Sequence, residues 1–170
     1  QETLRYAKNI SGADKLLDKK VIQNAYLTPA SATKGLVDNS TVSTYDDAGL
    51  FIGKQSIDYR EYDAWGNAIT QAVQRYAKDA QGNDMLLDRK VIANFYGAEP
   101  QKALIGRSEI VTYDEDNNFV EAQKITYEAY DDYGNALTQT AERYGDETFT
   151  ALLDKKVIAN NYSDLGENEA

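Results

Sequence analysis

The chain has 170 residues, with 18 Lys plus Arg against 28 Asp plus Glu, for a formal net charge of −10. Such a chain repels nucleic acid, which carries dense negative charge, and no apolar run approaches the ~18 residues needed to cross a bilayer; neither nucleic-acid binding nor membrane insertion is expected. Cysteine and histidine are both absent, which removes disulfides, thiolate metal sites, thiol nucleophiles and the usual imidazole base or ligand.

The chain opens on Gln1-Glu2-Thr3. With neither a start Met nor a signal-peptide pattern, it reads as a piece cut from a longer array. Leu4-Arg5-Tyr6 then matches Glu142-Arg143-Tyr144. A longer phrase follows, GADKLLDKKVIQNAY at Gly12 to Tyr26. It returns as GNDMLLDRKVIANFY at Gly82 to Tyr96 and as TFTALLDKKVIANNY at Thr148 to Tyr162. Thr44-Tyr45-Asp46-Asp47 is echoed 68 residues later by Thr112-Tyr113-Asp114-Glu115. YDAWGNAITQAVQRY at Tyr62 to Tyr76 is echoed, again 68 residues on, by YDDYGNALTQTAERY at Tyr130 to Tyr144. Self-similarity at a fixed period marks a repeat protein. The unit is about 68 residues.

Ten tyrosines beat through the chain: Tyr6, Tyr26, Tyr45, Tyr62, Tyr76, Tyr96, Tyr113, Tyr130, Tyr144 and Tyr162. The segment before each is rich in Val, Ile, Thr and Tyr with rough period-two alternation, which is the strand signal. Turn residues follow. In Asp63-Ala64-Trp65-Gly66-Asn67 and Asp131-Asp132-Tyr133-Gly134-Asn135 the Asp accepts from backbone N–H groups further on, and the Gly supplies positive φ. Asp63, Gly66 and Asn67, with Asp131, Gly134 and Asn135, are therefore structural turn residues. Two longer connections, Leu27 to Ser40 with Pro29 and Gly97 to Ser108 with Pro100, hold the only prolines. Repeat boundaries fall there, because Pro interrupts strand pairing. The frame becomes 1–26, the end of a preceding repeat; 27–96, repeat 1; 97–162, repeat 2; and 163–170, the start of the next linker.

The expected fold is all-β: an antiparallel β-hairpin meander, about four strands per 68-residue repeat, forming a repeat array such as a β-solenoid or spiral sheet. The strands are polar on both faces, so no deep apolar core is expected and stability spreads over many cross-strand pairs of ~0.2–1 kcal/mol each.

The Tyr-Asp-x-x-Gly-Asn phrase at Tyr62 to Asn67 and Tyr130 to Asn135 resembles the YD repeat of the Rhs and YD-repeat proteins, very long bacterial chains whose β-hairpins coil into a shell or spiral sheet. The resemblance covers four Tyr-Asp turns, two of them complete. The family hairpin returns about every 20 residues, whereas the unit here is a four-strand set, and the LLDKKVIANxY phrase is no hallmark of that family. The resemblance implies a structural segment of a bacterial surface or secreted protein, with neighbouring repeats of the same chain as partners and no catalytic residues.

Three chemical readings remain beside it. Asp114, Asp116 and Asn118 put several hard oxygens in one loop, as calcium sites do, but without the twelve-residue calcium-loop pattern; Asp146 and Glu147 are a weaker pair. Trp65 and Tyr133 share one turn position, where an aromatic ring either stacks on a sugar or packs on the next hairpin; its recurrence with the period favours packing. The alternative function is thus carbohydrate- or calcium-dependent adhesion, to a glycan or another surface protein. The adjacent carboxylates Asp46-Asp47 and Asp131-Asp132 point to opposite faces of a strand and do not make an acid–base dyad, so no enzyme is expected.

Overall fold

Strands joined by short loops pair with their successors, antiparallel. The computed structural model, which describes residues 1–8, 13–97 and 99–162, has that arrangement. Its strands are β1 (Glu2–Lys8), β2 (Asp14–Ala25), β3 (Asn39–Asp46), β4 (Phe51–Tyr62), β5 (Ala68–Lys78), β6 (Asp84–Tyr96), β7 (Ile105–Asp114), β8 (Phe119–Tyr130), β9 (Ala136–Tyr144) and β10 (Leu152–Ala159). They form one open ten-stranded sheet in chain order. The all-β antiparallel meander expected from the sequence is present. β3 to β6 fall within 27–96 and β7 to β10 within 97–162; the linker expected at 163–170 lies outside the described residues.

The chain divides into two compact units, one holding Gln1–Val91 and Tyr113–Asn118, the other Ile92–Thr112 and the residues from Phe119 on. The same constructions occur inside each. In the first, β4 pairs with β5 through Tyr59 opposite Gln71, Glu61 opposite Thr70 and Tyr62 opposite Ala68. Arg60 is thus an extra residue on one strand and Ile69 on the other. In the second, β8 and β9 repeat this at Tyr127/Gln139, Ala129/Thr138 and Tyr130/Ala136. Each pair of bulges slips the register by one and then restores it. Residues i and i+3 of a regular strand point to opposite faces; the intervening bulge brings them to one side. Tyr59 and Tyr62 accordingly stack with centroids 6.0 Å apart, and so do Tyr127 and Tyr130. Tyr62 Oη donates to the Val37 carbonyl, and Tyr130 Oη donates to that of Ile105 at 2.6 Å. Burial raises the pKa of both phenols, with the neighbouring tyrosine as the next contribution, so both remain donors at neutral pH.

A second bulge sits in the LLD phrase. Arg5 faces Asp18 while Tyr6 faces Leu16, leaving Leu17 over. Arg143 faces Asp154 while Tyr144 faces Leu152, leaving Leu153 over. In both places the Arg that precedes the tyrosine forms an ion pair with the Asp that follows the bulge: Arg5 with Asp18, and Arg143 with Asp154 at 3.0 Å. In the remaining copy of the phrase Arg75 likewise pairs with Asp88, through both carboxylate oxygens. Lysines of the LLDKK phrase also find carboxylates on a neighbouring strand. Lys19–Glu2 and Lys155–Glu142 do so at 3.7 and 3.4 Å.

Little apolar surface is deeply buried. Among the described residues the buried hydrophobic ones are Ala72, Ala122 and Tyr144, while Asp18, Ser40, Asn94, Ser108, Thr112 and Thr140 are buried polar ones. Buried polar atoms need partners, and five of these side chains have them: Asp18 accepts from Arg5, Ser40 Oγ donates to Asn24 Oδ1 at 2.7 Å, Ser108 Oγ to Asn94 Oδ1 at 2.8 Å, and Thr140 Oγ1 to Glu128 Oε1 at 2.7 Å.

The two long connections are not plain loops. Pro29 opens a one-turn helix, α1 (Pro29–Thr33), whose N-cap Thr28 accepts from Ser31 N through its side chain. Pro100 opens a 3₁₀ turn, Pro100–Lys102. Proline suits a first helical turn, where its missing N–H leaves no bond unmade.

Replacing Tyr62 or Tyr130 by Phe removes one hydroxyl tie and leaves the ring stack. Each variant is expected to lose about 0.5–1.5 kcal/mol in denaturant unfolding. An unchanged unfolding free energy in both would mean that the ties contribute nothing.

Candidate functional site at the hairpin tips

Among the described residues one loop design closes five hairpins. Asp63 N–H donates to the Asn67 carbonyl and Gly66 N–H returns to that of Asp63. Asp63 Oδ1 accepts from the N–H groups of Trp65 and Asn67, at 2.8 and 2.9 Å, and Oδ2 accepts from Asn67 Nδ2 at 2.8 Å. Asp131 does the same with Tyr133 and Asn135. So does Asp79 with Gln81 and Asn83, and so does Asp114 with Asp116 and Asn118. Asp46 binds the N–H groups of Ala48 and Leu50. The fourth residue has positive φ in all five: Gly49, Gly66, Gly82, Asn117 and Gly134. This is the three-residue hairpin loop in which a left-handed residue ends a type I turn.

These bonds bind the ionised carboxylate, so they lower its pKa. For Asp79 and Asp114 the largest contribution is the backbone N–H of Asn83 or Asn118; for Asp131 it is the Asn135 side chain. For Asp63 desolvation is the largest influence and pushes upward, but the Asn67, Trp65 and Gly66 donors together outweigh it. Asp146 heads a longer loop and is depressed furthest, by the Thr148 and Thr150 hydroxyls and the N–H groups of Ala151 and Thr150.

The structure places the calcium triad in this frame. Asp114 already spends both carboxylate oxygens on three donors of its own loop. Among the described residues no group of three or more His, Cys, Asp or Glu side chains is arranged to hold a metal ion.

Trp65 and Tyr133 stand at the tips of their loops, 64% and 92% exposed. The packing favoured from their periodicity is not what the chain shows. The Leu of the long connection takes that role instead: a Cβ built on Gly66 would lie 3.3 Å from Leu36 Cδ2, and one on Gly134 3.4 Å from Leu104 Cδ2. Each long connection thus clamps the base of its tip by a leucine and a carbonyl, while the ring at the end faces water. In the second unit shallow grooves of about 570 and 520 Å³ flank Tyr133, the first reaching Leu137 and Tyr162, the second Glu99 and Lys102. In the first unit a depression of about 250 Å³ lies beside Gly53, between Val42, Gln55 and Arg75.

The tyrosine beat does not mark the Asp79 loop or the LLD bulges. Asp79-Ala80-Gln81-Gly82-Asn83 carries the full Asp-x-x-Gly-Asn pattern and lacks only the preceding tyrosine. The bulges leave no local mark.

No family model and no curated protein matches the chain. Among solved structures it is similar to a protein of unknown function from Bacteroides fragilis NCTC 9343, at 12% identity and a TM-score of 0.43, covering 82% of this chain and 91% of the other.

The carboxylates bind their protons less tightly in the folded chain than at the ordinary value of 3.8. Their stabilisation is complete above that pH and is lost as the pH falls through the lower folded values. Melting temperature is expected to drop below about pH 4 by this route, and the drop should shrink in the Asp114→Ala, Asp131→Ala double variant. Asp114→Ala alone should lower the melting temperature equally in EDTA and in calcium. A loss confined to calcium would assign an ion to the loop.

Proposed function

We propose that the chain is a structural tandem-repeat segment of a long bacterial surface or secreted protein, YD-repeat-like, in which β-hairpins stacked edge to edge extend a scaffold or shell. The observation that carries this reading is recurrence in three dimensions. The Tyr62–Val37 and Tyr130–Ile105 ties, the Tyr59–Tyr62 and Tyr127–Tyr130 stacks, and the Leu36–Gly66 and Leu104–Gly134 contacts are all separated by 68 residues. A repeat that rebuilds its interior contacts as well as its sequence is suited to stacking, because each copy offers its successor the same edge. The surface or secreted setting rests on the YD-repeat resemblance.

A second reading has an observation of its own. Tyr133 carries a ring open to water between two grooves, beside Asp131 and Asp132. That combination suits a sugar, which offers one face for stacking and hydroxyls for carboxylates.

Extending the chain after residue 162 by one, two and four further copies of 97–162 should raise the maximum dimension in small-angle scattering by equal steps. A dimension that stays constant would sink the scaffold reading. On a glycan array, binding lost in Tyr133→Ala would establish the adhesion reading in its place.

A further inference from the structure

The outer edge of β10 has no strand beside it among the described residues, yet its sequence is the third copy of one that elsewhere does. Within the first unit β2 pairs on its outer side with β3. Two contacts mark that register. Asn24 Oδ1 accepts from Ser40 Oγ at 2.7 Å, and Lys19 Nζ lies 5.6 Å from the centre of the Tyr45 ring. β6 and β7 repeat both: Asn94 accepts from Ser108 at 2.8 Å, and the Arg89 guanidinium lies 4.8 Å from the Tyr113 ring centre. In each pairing the cation and the asparagine are five positions apart on one strand, and the serine and tyrosine are five apart on the other.

β10 carries the cation and the asparagine at the same spacing, as Lys155 and Asn160. Lys19 reaches back to Glu2 on the preceding strand as well as forward to Tyr45. Lys155 makes the backward contact, to Glu142 at 3.4 Å. Asn160 likewise points its amide back, with Nδ2 donating to the Ala136 carbonyl at 2.9 Å. Among the described residues nothing occupies the forward half of either site. β10 ends at Ala159, before the asparagine, whereas β2 and β6 run past theirs to Ala25 and Tyr96. Val157 is 66% exposed, while its counterparts Val21 and Val91 are half-buried.

We infer that the β10 edge is a docking site for one kind of partner: an antiparallel strand with Ser-x-x-x-x-Tyr, as in Ser40–Tyr45 and Ser108–Tyr113, its tyrosine ring over Lys155 and its serine hydroxyl on Asn160 Oδ1. Backbone pairing supplies the general attraction of any strand edge. The two side-chain contacts select the partner and fix its register, because a slip of one residue sends both to the wrong face. The identity of the partner rests on the repeat reading above. Its readout is protection at one strand, so that either idea can fail alone.

The probe is a synthetic peptide of residues 38–63, spanning β3 and β4, added to the 170-residue chain and followed by amide hydrogen exchange. Amides of residues 154–160 should slow on addition. Lys155→Ala and Asn160→Ala should each weaken the peptide about two- to tenfold, the value of one modest polar contact, and the Ser40→Ala, Tyr45→Ala peptide should bind weaker still. Joining the same segment to the chain through a flexible linker raises its effective concentration to about millimolar and serves where the free peptide is too weak. Three results would overturn the inference: no protection in either format, equal binding by the Lys155 and Asn160 variants, or β10 protection that rises with protein concentration before any peptide is added, which would mean self-pairing.

Discussion

Everything in this sheet depends on register, and register is set by the aspartate that closes each tight loop. Side chains alternate with a period of two, so a slip of one residue exchanges the faces of a whole strand. In most antiparallel sheets a greasy core corrects such errors. Here the buried hydrophobic side chains among the described residues are Ala72, Ala122 and Tyr144. A carboxylate that collects the second and fourth N–H groups after it admits one loop length, and one loop length admits one pairing. The same design at Asp46, Asp63, Asp79, Asp114 and Asp131 therefore does for this chain what a hydrophobic interior does for others.

Bulges refine what the loops begin. Each LLD bulge inserts one leucine, turning the following aspartate to face arginine across the strand. Each double bulge beyond Tyr59 or Tyr127 brings two tyrosines to one face and aims the second hydroxyl at the long connection. None of these contacts is strong. An exposed ion pair contributes up to about 1 kcal/mol and a cross-strand pair a similar amount. They are many, and each is available in one register only, so their sum penalises every alternative pairing more than any single member stabilises the native one.

The sequence made the rhythm legible and left the sideways contacts hidden. Strand existence followed from composition before each tyrosine, and loop chemistry followed from Asp-x-x-Gly-Asn, because both are decided within a few residues. The bulges were invisible, since Leu17 and Arg60 become extra residues only relative to the opposite strand. The Arg75–Asp88 pair spans a hairpin and joins residues 13 apart in the chain. The exposure of Trp65 and Tyr133 is hidden for a related reason: periodicity announces that a position is structurally equivalent, not that it is buried, and Leu36 and Leu104 take the packing role. Proline breaks strand pairing as its chemistry predicts, and here Thr28 and Pro29 together also start a helical turn.

The hairpin between β9 and β10 separates what the fold requires from what it tolerates. Tyr6 pairs with Leu16 across ten residues of chain, and Tyr144 pairs with Leu152 across eight. The shortening falls at the loop end, where Lys8–Asp14 and Lys78–Asp84 ion pairs have no counterpart in the shorter hairpin. Everything on the far side of the Tyr–Leu rung is preserved: the bulge, the Arg143–Asp154 pair and the pairing that follows. The new loop then solves its own problem, with Asp146 gathering the Thr148 and Thr150 hydroxyls and two N–H groups, while Phe149 adopts φ of 57° and sets its ring edge-on to Tyr144 at 5.5 Å. A loop that changes length while its rungs stay fixed carries no register information beyond its first rung. The phrase that does carry it, Arg-Tyr opposite Leu-Leu-Asp, is the one that appears three times.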